Sequence, residues 1–69
     1  MYFIVDYQHS ESLISPLMIA STRGMLQVVE KLLYFGANIY LKSANDYTAL
    51  DWAKRFCKTE VIEILENYT

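Results

Sequence analysis

The sequence predicts an all-α fold: a repeated helix-turn-helix unit with a finger-like turn loop between its copies. Three observations carry that prediction. First, the chain repeats itself, with "SPLMIASTRG" at residues 15–24 answered by "TALDWAKRFC" at residues 48–57, an offset of 33 residues. A fixed period of about 20 to 50 residues is the signature of stacked supersecondary units, each too small to bury its apolar face alone. Second, the apolar residues that follow each copy recur at helical spacing rather than alternating. Third, the only proline, Pro16, and both glycines, Gly24 and Gly36, stand where helices should start and stop.

Ser15 and Pro16 mark the first helix start. The serine hydroxyl can accept from an early backbone N–H, and proline at the first helical position loses no donor the helix would have used. Gly24 ends that helix by taking the left-handed conformation. A second helix starts near Leu26, with Val28, Val29, Leu32 and Leu33 on one apolar face and Gln27, Glu30 and Lys31 turned away. Gly36 closes it in the same manner. The stretch "ANIYLKSANDY", residues 37–47, carries Asn38, Ser43, Asn45 and Asp46 with no helical period and reads as a loop.

At Thr48 the cycle restarts. Thr48 is a helix cap, and Asp51 three residues on can reach back to its N–H in a variant of the capping box. A fourth helix runs from about Thr59 or Glu60, where Val61, Ile62 and Leu65 repeat the face of Val28, Val29 and Leu32. Leu17 answers Leu50, Ala20 answers Ala53, and Glu30 answers Glu63, all at the same offset. The organisation expected is a lead segment over 1–14, one unit over 15–47 and a second over 48–69. The lead segment has no repeat motif. Counted back from Ser15, it is one residue out of register with the later loop.

Composition sets limits on what such a chain can do. With 69 residues there is room for one small domain, and small domains leave a large share of their surface wet. A hydrophobic fraction of 54% against 20% charged is globular rather than disordered. Cys57 is the only cysteine, so no disulfide can staple the chain, and a reducing compartment fits best. The formal net charge of -2, with Lys54, Arg55 and Lys58 the only basic cluster, argues against nucleic acid. Neither a secretory leader nor a membrane-spanning run of about 20 apolar residues is legible. The expectation is a soluble intracellular protein, cytoplasmic or nuclear.

The residues resemble a known family. A 33-residue period, units opened by "SPLMIA" and "TALDWA", Gly24 between helices, second helices "VVEKLL" and "VIEIL", and "GAN" after the first of them are together similar to the ankyrin repeat. The likeness covers residues 15–69, and the second unit, with its glutamate-studded last helix, resembles a terminal repeat whose outer face meets water. The resemblance implies a solenoid of stacked helical hairpins and protein binding without catalysis. It also implies a binding surface made of turn tips and the exposed side of the first helices. Carried onto this chain, those positions are Ala44, Asn45, Tyr47, Arg55 and Phe56 for the second unit, and Glu11, Ser12, Ile14, Thr22 and Arg23 for the first.

The chain departs from the family pattern at several places. Met18 and Asp51 stand where the family often has a histidine that bonds across repeats, so that polar network is expected to be missing. Asp46 replaces a turn glycine, and Cys57 stands where the first unit has Gly24, so the second inter-helix turn is expected to be strained or reshaped.

Catalytic readings find little support. Asp51 beside Trp52 and Lys54 is better explained as a carboxylate satisfying helix N-terminal N–H groups. Glu60, Glu63 and Glu66 fall on the wet side of their helix. His9 and Cys57, each the only one of its kind, form neither a metal set nor a nucleophile pair, and no glycine-rich phosphate loop exists. No cofactor or metal is expected. Cys57 reads as a turn or core residue and Trp52 as core. Tyr47 and Phe56, aromatic and near arginines, are the residue types that carry interface energy.

Two functions of different kinds follow from these readings. One is a non-catalytic module that binds a partner protein through turn tips and first-helix side chains. The other is a structural end segment of a longer or self-associating stack. The apolar run Tyr2, Phe3, Ile4 and Val5 is the expected contact for self-association.

Overall fold

The computed structural model describes residues 6–68, and the run Tyr2, Phe3, Ile4 and Val5 lies outside them. Four helices follow one another: α1 (Pro16–Arg23), α2 (Leu26–Tyr34), α3 (Ala49–Arg55) and α4 (Thr59–Tyr68). α1 pairs with α2 and α3 with α4 as hairpins; α1 then packs on α3 and α2 on α4, so the two hairpins stack in register.

Both first helices start with a reciprocal cap. Ser15 Oγ accepts from the Met18 N–H at 3.3 Å, and the Ser15 N–H points back at Met18 Sδ at 3.4 Å. Thr48 and Asp51 repeat the device with a carboxylate: Thr48 Oγ1 accepts from the Asp51 N–H at 3.3 Å, and the Thr48 N–H donates to Asp51 Oδ2 at 3.0 Å. Met18 and Asp51 therefore bond within their own helix starts, where the family's histidine would bond across units.

Both first helices also end alike. The Met25 N–H donates to the Ala20 carbonyl and the Lys58 N–H to the Ala53 carbonyl, each at 2.9 Å, as a chain reversing through one left-handed residue requires. That residue is Gly24 (φ 69) in one hairpin and Cys57 (φ 55) in the other. A non-glycine residue there costs about 1 kcal/mol, because Cβ crowds the following carbonyl. Cys57 is exposed and its thiol is free. Cys57→Gly is therefore expected to stabilise the chain by about 1 kcal/mol, read as a higher urea midpoint at unchanged slope. An equal or lower midpoint would show that the thiol offsets the backbone strain.

The loops repeat as well. Leu13 (φ 58) and Asp46 (φ 71), 33 residues apart, are both left-handed. The His9 N–H donates to the Ile14 carbonyl across the first loop, and the Ser43 N–H donates to the Tyr47 carbonyl across the second. The first closure spans one residue more, which accounts for the one-residue register slip seen in the sequence. The two loops lie side by side: the Ala44 N–H donates to the Ser12 carbonyl at 2.8 Å, and Gln8 Nε2 donates to both the Leu13 and Lys42 carbonyls.

The core lies between the hairpins. It comprises Leu17, Met18 and Ala20 of α1, Val29, Leu32 and Leu33 of α2, Ala49 and Ala53 of α3, and Val61 and Leu65 of α4, with Ala37 beneath the loop. Two sequence expectations need correction. Val28 is 39% exposed, because α2 turns only the Val29, Leu32 and Leu33 side inward. Trp52 is half-buried against the core rather than inside it, because α3 buries the small residues Ala49 and Ala53 instead.

Candidate functional site

The exposed side of α1 and α3 and the loops before them form one continuous surface. Helical spacing builds it: Ile19 and Arg23 are four residues apart on α1, and Trp52 and Phe56 four apart along α3 and its cap, so each pair shares a helix face. Ile14, Ile19, Thr22, Arg23, Trp52 and Phe56 together line an open hollow of about 280 Å³. Its floor is aromatic. Trp52 and Phe56 are stacked, with centroids 6.2 Å apart and planes 15° apart, while Tyr47 meets Trp52 at a tilt of 54° with centroids 5.0 Å apart. Stacking rather than hydrogen bonding holds the indole, since Trp52 Nε1 is buried without a partner.

Beside this hollow, Asp46, Tyr47, Asp51, Lys54 and Arg55 line a shallower charged depression. Of the ten binding positions expected from the sequence, Ile14, Thr22, Arg23 and Phe56 meet in the first hollow, and Tyr47 and Arg55 in the second. Ala44, Asn45, Glu11 and Ser12 are exposed on the adjoining loop tips, brought together by the Ala44 to Ser12 bond. Phe56 is 46% exposed; it does not fill space between the helices. Tyr47 is half-buried by its contact with Trp52.

Sequence reasoning missed Ile19 and Trp52. Both carried a signal, because they occupy the same position of the period and precede Arg23 and Phe56 by one helical turn. Neither Arg23 nor Arg55 has a carboxylate within ion-pairing distance among the described residues, whereas Lys42 pairs with Asp46 at 3.6 Å and Lys54 with Glu66 at 3.8 Å. Such exposed pairs contribute little, about 0.5 kcal/mol each.

The profile of ankyrin repeats (many copies) matches residues 17–66. The chain belongs to the ankyrin-repeat family. Two plant proteins are similar to it: the DExH-box ATP-dependent RNA helicases DExH6 and DExH2 of Arabidopsis thaliana, each 35% identical over 65 and 63 residues respectively. The ankyrin stretch aligned covers 94% and 91% of this chain but only 5% and 4% of those helicases. Ankyrin repeats in general are protein–protein interaction modules rather than enzymes. Among the described residues, no helix is long and apolar enough to cross a membrane.

Proposed function

We propose that this ankyrin pair is a non-catalytic module that binds a partner protein through the α1 and α3 face and the adjoining loop tips. The observation that carries the reading is the aromatic row of Tyr47, Trp52 and Phe56, flanked by two arginines that no carboxylate among the described residues engages. Tryptophan, tyrosine and arginine dominate binding energy where a partner can exclude water from them. A shelf of stacked rings is already ordered, so its docking costs little side-chain entropy. The partner surface that fits is apolar with a carboxylate at its edge. A protein partner is favoured over nucleic acid because the net charge is -2 and the basic residues form no continuous stripe.

The test compares the natural chain with a variant carrying Arg23→Ala and Phe56→Ala, both at exposed positions, after circular dichroism shows equal helix content. A captured protein partner should bind the variant more weakly by about 30-fold or more, the sum of two modest hot spots. Unchanged affinity would place binding elsewhere. Capture of single-stranded RNA with a steep salt dependence would replace the reading with a nucleic-acid one.

A further inference from the structure

The hollow floored by Trp52 and Phe56 does not end at α1. Two of its walls, Ile14 and Ile19, are also walls of a neighbouring open hollow of about 260 Å³, which Tyr7, His9, Ser12 and Pro16 complete. Joined at the two isoleucines, the hollows form one trough that runs from the first loop across α1 to α3. Ile19 is 46% exposed at the join and Tyr7 58% exposed at the loop end. Single apolar side chains on a surface need no explanation, but a continuous apolar row rimmed by polar residues marks a binding groove.

The two ends of the trough differ in charge. Arg23 stands in the hollow at the α3 end and Arg55 in the depression beside it, and neither has a carboxylate within ion-pairing distance among the described residues. The carboxylates that share the depression with Arg55 are engaged elsewhere: Asp46 pairs with Lys42, and Asp51 caps α3. At the loop end Glu11 is exposed, its N–H donating to His9 Nδ1 at 3.2 Å. The trough therefore presents positive charge at one end and a carboxylate at the other.

The backbone along the trough is already bonded. α1 bonds within itself. In the loop, the His9 N–H donates to the Ile14 carbonyl, the Leu13 N–H to the His9 carbonyl and the Ile14 N–H to Ser12 Oγ. An extended segment laid here would hold its own N–H and C=O groups against apolar side chains with few partners, and unpaired groups are costly to desolvate. A helix satisfies its backbone internally and offers one apolar stripe, so the trough suits a helix. The helix dipole matches the charge gradient when the C-terminal end lies over the arginines and the N-terminal end near Glu11.

We infer that this trough takes an amphipathic helix of the partner protein. That helix carries apolar side chains at i, i+3 or i+4, and i+7, with a carboxylate beyond them, toward its C-terminal end, facing Arg23 and Arg55. The inference rests on the reading that the α1 and α3 face binds a protein. It adds Tyr7 and Ile19 to that site and gives the partner segment its form, charge and direction.

The test selects phage-displayed random peptides of about 16 residues, roughly four helical turns, on the full chain. The consensus peptide is then synthesised with a fluorescent label and its binding measured by anisotropy. It is expected to carry apolar residues at that helical spacing with Asp or Glu after the last of them, and to gain helical circular dichroism on binding. Ile19→Ser and Tyr7→Ala, both at exposed positions, should each weaken binding about 10-fold or more at unchanged urea midpoint. Arg23→Glu should weaken it similarly. Exchanging the acidic residues of the peptide for lysine should then restore binding to the Arg23→Glu chain and not to the natural one. Indifference to Ile19→Ser and Tyr7→Ala, together with loss on Phe56→Ala, would overturn the helix trough and leave the aromatic shelf as the site. Indifference to Phe56→Ala as well would overturn both readings. No selected peptide, or a consensus that is proline-rich, basic or gains no helix on binding, would also overturn the inference. Two further results would do so by naming another occupant. One is dimerisation of the natural chain abolished by Ile19→Ser, and the other is peptide binding that tightens about 10-fold when residues 1–5 are removed.

Discussion

Leu65→Ala is expected to leave the chain largely unfolded at 25 °C. Leu65 lies on α4 at 1% exposure, in the layer where α2 and α4 meet. Removing its three outer carbons forfeits their transfer free energy and leaves a void, together costing about 2–5 kcal/mol at such sites. The structure has little with which to absorb that loss. Cores of domains below about 70–80 residues rarely supply more than about 3–5 kcal/mol, and here no disulfide assists. Leucine to alanine at the half-buried Leu50 is the control, because it removes the same atoms where less cavity remains. Urea titrations followed by far-ultraviolet circular dichroism should show a folded baseline for the Leu50 variant and little or none for the Leu65 variant. If the Leu65 variant keeps a cooperative transition within about 0.5 kcal/mol of the natural chain, the hairpins are not held together by this layer.

The contrast between Leu65 and Leu50 was only half legible beforehand. Periodicity identified both as apolar positions on helices, since spacing reports which side of a helix is inward. It does not report which hairpin has a neighbour on that side. Leu17 and Leu50 share a place in the repeat, and only the first is fully buried, because α3 lies on the solvent end of the stack. Val28 and Val61 differ for the mirror reason. Local chemistry read more cleanly: the caps at Ser15 and Thr48, the left-handed turns at Gly24 and Asp46, and the halt at Gly36 all depend on a few adjacent residues, while at Cys57 the choice between a strained and a reshaped turn was settled by its left-handed backbone. The surface hollow fell between these cases. Its rim residues followed from the family's habit, but Trp52 was placed in the core because a large apolar ring usually lies there. What kept it half out is the choice of alanine at 49 and 53, which lets α3 approach α1 closely and leaves no room for an indole between them.

That close approach leads to the second large effect. Ala53→Leu should destabilise the chain by about 1–3 kcal/mol, although it adds apolar surface. Ala53 is fully buried, and Ala20 and Ala49 beside it in the core are at 2% exposure. Short side chains at a helix contact favour separations toward the near end of the usual range of about 8–10 Å. Three additional carbons at Ala53 must force α1 and α3 apart or leave the leucine in a strained rotamer. Displacement would not stay local. The Ala53 carbonyl accepts from the Lys58 N–H in the turn at Cys57, and its neighbour Trp52 carries the ring stack with Tyr47 and Phe56. Trp52 is the only tryptophan, so its fluorescence and near-ultraviolet circular dichroism report that stack directly. The Ala53→Leu chain should therefore show both a lower urea midpoint and an altered tryptophan signal in the folded state. Ala20→Leu, at the equivalent position of the first unit, should lower the midpoint similarly, whereas Ala44→Leu on an exposed loop tip should leave it in place. Tolerance of leucine at both 20 and 53 would mean that the first helices of the two units do not meet through their alanines, and the aromatic stack would then need another support.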